Sequence, residues 1–223
     1  MKNTRELLLE IYRSLLDFFG PQHWWPGETP FEVAVGAILT QNTSWTNVAR
    51  AIGNLKAAGA LDPVTLHTLA PEQLETLIRP AGYFRVKAKR LKNFLSWLCD
   101  RYGGDLKNLE SVPAGRLREE LLGISGIGPE TADSILLYAL NRPVFVVDTY
   151  TARVVVRHGL LGPELDYQQL QDLFQSHLEP EVALYNEFHA LLVMTGKDYC
   201  KPRPKCAACP LNPLPHRVEV ECP

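Results

Sequence analysis

Apolar residues recur at three- and four-residue intervals along almost the whole chain, which is the period of an amphipathic helix. Near the start, Leu8, Ile11, Tyr12, Leu15 and Phe19 form one stripe. Val48, Ile52 and Leu55 form another in 44–59, with Thr43 or Ser44 as cap and Gly59 as stop. Residues 71–82 open on a proline and break at Pro80, and 84–104 make a longer helix ending at Gly103 and Gly104. A short helix follows over 113–124. Residues 129–141 place Ala132, Ile135, Leu136, Ala139 and Leu140 on one face, with Pro129 at the first helical position. Further helices are predicted over 148–161, 166–178 and 181–200. Only Arg142–Asp148, "RPVFVVD", looks β-like; lacking a partner run, it reads as an extended entry to a helix. The pattern predicts an all-α chain of about ten helices with short loops, the first helix packing with the last segments.

Composition narrows this picture without changing it. With 46% hydrophobic and 22% charged residues in 223, the chain has ample material for a core. The formal net charge is -2, so any contact with a polyanion has to be local. Arg5, Glu6, Glu10, Arg13 and Asp17 interrupt the first apolar stretch, which argues against a signal peptide. No apolar run approaches the ~20 residues of a membrane span, and a cytoplasmic protein is expected.

Chemistry concentrates in four places. "SGIG" joins two predicted helices; Gly126 and Gly128 can adopt φ > 0 and present N–H groups at a helix N-terminus. That is either an anion site suited to a nucleic-acid phosphate or a tight interhelical turn. Asp148 ends the apolar run and is an N-cap or a carboxylate poised for chemistry. Four cysteines, Cys200, Cys206, Cys209 and Cys222, crowd the C-terminal region at spacing Cys-x5-Cys-x2-Cys-x12-Cys, which points to zinc or an iron–sulfur cluster. His216 is an alternative fourth ligand. Finally, Trp24, Trp25 and Trp45 fall within 22 residues, so at least one ring is expected in a groove able to stack a base. The basic run holding Lys87 and Lys89 is either a solvated helix face or a phosphate contact.

Hairpin, aspartate and terminal cysteines together resemble the helix-hairpin-helix DNA glycosylases of the endonuclease III superfamily. Within it, "WWP", "FEVAVGAILTQNT", "RPAGYFRVKAKRL", "GIGPETADSILLYA" and "VVDTY" are similar to the 3-methyladenine DNA glycosylase III group (MagIII). The resemblance implies a two-lobed helical glycosylase fold with a helix-hairpin-helix motif and a C-terminal Cys-rich metal loop. Its implied lobes are 1–25 with 140–223, carrying the metal loop, and 26–139, containing the hairpin. It implies Asp148 as the catalytic residue. It also implies a base pocket of Trp24, Trp25, Pro26, Gln41 and Trp45 with Glu130 beside it. Gly126, Gly128, Thr131, Lys87 and Lys89 would meet the DNA backbone, with a monovalent cation at the hairpin.

Two departures matter. Bifunctional members carry a lysine where this chain has Glu130. Only an amine forms the Schiff base that precedes strand cleavage, so a monofunctional enzyme is expected. The first cysteine gap is one residue shorter than in endonuclease III, and Pro215 falls where the fourth cysteine is expected; the characterised MagIII lacks these cysteines altogether. A [4Fe–4S] cluster is the leading assignment, with zinc as the alternative. The expected function is removal of flipped, alkylated purines from damaged double-stranded DNA by a cytoplasmic, nucleoid-associated monomer without membrane contact. Its rivals are a glycosylase/AP lyase acting on oxidised pyrimidines and a non-catalytic damage-sensing module.

Overall fold

The computed structural model describes residues 3–220; Cys222 lies outside them. Among these residues there is helix and no strand. Eleven α-helices run in order: α1 (Thr4–Phe19), α2 (Pro30–Leu39), α3 (Trp45–Ala57), α4 (Pro63–Thr68), α5 (Pro71–Ile78), α6 (Phe84–Tyr102), α7 (Ala114–Leu122), α8 (Pro129–Ser134), α9 (Thr149–Arg157), α10 (Tyr167–Gln175) and α11 (Val182–Asp198). None is long and apolar enough to cross a membrane. The chain divides into two compact units, 1–24 with 143–223, and 25–142.

In the first unit α11 packs against α9 and α1. Its core is aromatic: Phe145 stacks on Phe174 with centroids 4.0 Å apart, and Phe188 meets both rings edge-on. Burying each such ring contributes roughly 1.5–3 kcal/mol. The segment before α9 is extended but has no sheet partner. Its backbone is satisfied by glutamines instead. Phe145 N–H donates to Gln175 Oε1 (3.0 Å), and Phe145 C=O accepts from buried Gln171 Nε2 (2.7 Å). A buried peptide group has to find such a partner, so α10 holds the strand-like run that delivers Asp148.

In the second unit α2 is the central helix. Every residue from Phe31 to Leu39 is buried. A helix covered on all sides shows no polar face and so no amphipathic period. Thr29 caps it by accepting from Glu32 N–H (3.1 Å). The helix predicted over 129–141 is not uniform: α8 gives way to a π-helical turn at Ile135–Ala139, closed by Leu140 N–H donating to Ile135 C=O.

Candidate active site

The hairpin lies in the second unit and its shape is fixed from below. Arg118 on α7 grips Asp133 on α8 in a bidentate pair, 2.7 and 3.1 Å, clamping the two flanking helices. Such fork-to-fork pairs are among the strongest side-chain hydrogen bonds. Asn93 Nδ2 donates to Ser125 C=O (2.9 Å), and Gln41 Nε2 donates to Gly126 C=O (3.2 Å) and Thr131 Oγ1 (2.8 Å). Arg90 donates to Gln41 Oε1, closing the network. Gly126 has φ +97°, and a Cβ there would lie 2.3 Å from Arg90 Cγ, so glycine is required twice over. Gly128 differs from expectation. Its φ is -93° and ψ 177°, ordinary extended backbone, because it serves as the N-cap of α8.

The aromatic residues of this unit form a cluster. Trp25 meets Trp45 edge-on at 5.2 Å and lies over Tyr138 at 5.1 Å with planes 33° apart. Gly36 on α2 makes room for both indoles; a Cβ there would sit 3.3 Å from Trp25 Nε1 and 3.5 Å from Trp45 Cη2. Both tryptophans remain half-buried, Pro26 is exposed, and Glu130 is exposed on the first turn of α8. Tyr138 was not foreseen, since its ring is brought here by the π turn. π-helical turns are frequent at functional sites. Gln41, expected in the base pocket, hydrogen-bonds to the hairpin and to Arg90 through both ends of its amide. Tyr83 is 72% exposed and adopts φ 44°, a left-handed conformation rare for an aromatic residue.

Lys87 corrects the sequence reading. It is 1% exposed, and its ammonium donates to Ala81 C=O at 2.7 Å inside the second unit. Burial, with Arg90 nearby, lowers its pKa. It cannot reach a phosphate from there. One turn position removes it from solvent, while Lys89 stays exposed. Thr131 is likewise buried, its hydroxyl accepting from Gln41.

In the first unit Trp24 is half-buried, and Asp148 caps α9. Its Oδ1 accepts from Thr151 N–H (2.7 Å) and Thr151 Oγ1 (2.9 Å). Oδ2 faces His189 Nε2 at 3.6 Å, and the two side chains are 12% and 6% exposed. Burial acts to raise the Asp148 pKa, but the His189 ring and the Thr151 bonds outweigh it and hold the carboxyl below the ordinary aspartate range. The result is an ionised carboxylate with one oxygen anchored as a cap. His189 has no signal in the sequence beyond being a histidine on an apolar helix.

Cys200, Cys206, Cys209 and His216 line one cavity of the first unit, together with Arg157 and His158. Arg157, 5% exposed, shapes the loop by donating to Cys200 Sγ (3.2 Å), Lys201 C=O (2.7 Å) and Pro202 C=O (3.2 Å). Burial, then the neighbouring sulfurs of Cys200 and Cys206, raise the Cys209 pKa. That crowding of thiols is the donor chemistry a soft metal centre relieves by replacing protons. Yet no group of three or more His, Cys, Asp or Glu among the described residues is drawn together closely enough to hold a metal ion.

The pattern of HhH-GPD superfamily base excision DNA repair proteins matches residues 35–180. The chain belongs to the HhH-GPD superfamily. This HhH-GPD glycosylase is 46% identical over 212 residues, covering 95% of this chain and 96% of its relative, to a Methanocaldococcus jannaschii protein provisionally named a DNA repair glycosylase. It is 31% identical to endonuclease III of Thermotoga maritima, covering 91% of this chain and 89% of the relative. The crystal structure of 3-methyladenine DNA glycosylase (MagIII) from H. pylori bound to 1,N6-ethenoadenine is similar at TM-score 0.76 and 29% identity, covering 88% of this chain and 98% of that one. A non-covalent endonuclease III–DNA complex shares the HhH-GPD fold at TM-score 0.81 and 23% identity, covering 98% and 97%.

Proposed function

We propose that this base excision repair glycosylase hydrolyses the glycosidic bond of alkylated, positively charged purines in duplex DNA and leaves the strand intact. The observation that carries the reading is Asp148: a mostly buried carboxylate held ionised, with one oxygen locked by Thr151. An oxocarbenium-like transition state develops positive charge on the sugar, and a fixed carboxylate stabilises it. Trp25 and Trp45, with Tyr138, supply faces on which an extruded base stacks, and a cationic base gains cation–π attraction there. The similarity to MagIII supports a purine substrate.

The hairpin holds the backbone through Gly126 and its N–H groups, with Lys89 adding a local phosphate contact; a monovalent cation held by the hairpin carbonyls would add positive charge facing the phosphate. Trp24 and Pro26 border the base. Glu130 stands where an amine would be needed to form a Schiff base, and α8 carries no lysine. Its negative charge favours a cationic lesion and gives no lyase chemistry. Because alkylation already makes the purine a good leaving group, strong protein acid catalysis is not required.

The endonuclease III-like superfamily often carries a [4Fe–4S] cluster. Here Cys200, Cys206 and Cys209, with Cys222 or His216 fourth, would hold it or zinc. That they line one cavity supports the assignment, although the described side chains are not gathered into a ligand set, and the group would tie the C-terminal loop together. None of the bond-breaking steps runs through it.

The test is release of free 3-methyladenine from methylated duplex DNA, compared with Asp148→Asn. Wild-type release that the variant loses supports the reading. Nicking of oxidised-pyrimidine duplex without alkali would instead favour the lyase reading, to which the endonuclease III similarity lends weight.

A further inference from the structure

We infer that His189 is a positioning residue for the reaction: its Nε2–H donates to Asp148 Oδ2 and fixes the direction in which that carboxylate presents its charge. This rests on the proposed role of Asp148 and adds to it the group that controls the second oxygen.

The geometry divides the carboxylate in two. Oδ1 is saturated by the backbone and hydroxyl of Thr151. Those bonds set where the carboxylate begins, but they leave it free to tilt about them. Oδ2 has His189 Nε2 at 3.6 Å, in surroundings where both side chains are nearly closed to water. A few tenths of an ångström of approach turn this contact into a charge-assisted hydrogen bond.

The approach of His189 is itself built into the packing. His189 lies on α11, and seven residues on, along the same helical face, is Gly196. A Cβ at Gly196 would sit 2.5 Å from the Tyr150 side chain, so only glycine lets α11 come this close to α9. Arg153 Nη2 reaches Gly196 C=O at 3.5 Å and lies 5.0 Å over the Tyr150 ring, bracing the same contact from the α9 side. Cap, glycine contact and imidazole therefore form one unit that aims Asp148.

The test uses the full chain with His189→Leu and His189→Gln. Glutamine places an uncharged N–H close to where Nε2 stands; leucine fills the space and gives no donor. A hydrogen bond to a charged group is worth about ten- to hundredfold. Single-turnover release from methylated duplex is expected to fall by about that factor in His189→Leu, with affinity for DNA unchanged, and to return to within a few-fold in His189→Gln. A purely structural role predicts that both variants are equally impaired or that DNA affinity falls with turnover, and either result overturns the inference. A second readout needs no activity. The carbon-13 signal of the Asp148 carboxyl should move in His189→Leu and stay near its wild-type position in His189→Gln. An unmoved signal in His189→Leu overturns the inference even if catalysis falls. If the wild type releases no base while the signal moves as described, the substrate reading fails and the positioning contact stands.

Discussion

The two units carry their functional groups in opposite ways. In 25–142 the aromatic cluster is made by packing: Trp25 leans on Trp45 and Tyr138, and Gly36 makes room for both indoles. In 1–24 with 143–223 the carboxylate is made by hydrogen bonds, with Thr151 and the extended run anchored by Gln171 and Gln175 deciding its place. Packing tolerates change gradually, whereas a charge in a nearly dry pocket depends on each partner. One site is therefore suited to accept bases of varying outline. The other is suited to place a single charge within tight limits.

That contrast can be broken at its strongest point first. Asp148→Asn keeps the size and loses the charge; base release should fall by about 10²–10³-fold, the cost of removing one preorganised electrostatic contact, while duplex binding persists. In the aromatic cluster Trp45→Ala should cost about 1–3 kcal/mol in affinity for lesion DNA, and Trp45→Phe should recover most of it, since a face is all that is needed. Gly196→Ala should lower stability by about 1–3 kcal/mol through overpacking against Tyr150, seen in chemical denaturation, and should reduce turnover more than binding.

The same contrast marks what could be read from sequence. Helices with one wet face were visible, α1, α3, α6 and α10 among them, because their stripes repeat at the helical period. α2 carried no such stripe since it is buried all round. The N-cap place of Asp148 was legible from the end of an apolar run. Its partner His189 was not, because only tertiary packing brings α11 to α9. The π turn that delivers Tyr138 left no trace in composition. Lys87 was misassigned because a basic run looks the same whether one of its members turns inward or not. In the same run Arg90 supports the hairpin through Gln41.

Smaller effects sharpen the division. The folded-state pKa of Asp148 is depressed, so the stability it contributes is complete above the ordinary aspartate value of about 3.9 and is lost as pH falls through the folded value. Thermal melts of wild type and Asp148→Asn should therefore converge in acid and diverge toward neutral pH. Lys89→Ala should weaken binding uniformly across sequences and reduce the salt slope by about 1. Lys87→Met, by contrast, should leave the slope unchanged, because that ammonium binds Ala81 C=O rather than DNA.

The proposed chemistry requires base loss without strand loss. Methylated duplex incubated with the protein, split between a free-base assay and a denaturing gel run before and after alkali, reads both at once. Free 3-methyladenine with strands that break only after alkali is the predicted result. Strand breaks before alkali, or intact DNA with no free base, would contradict it.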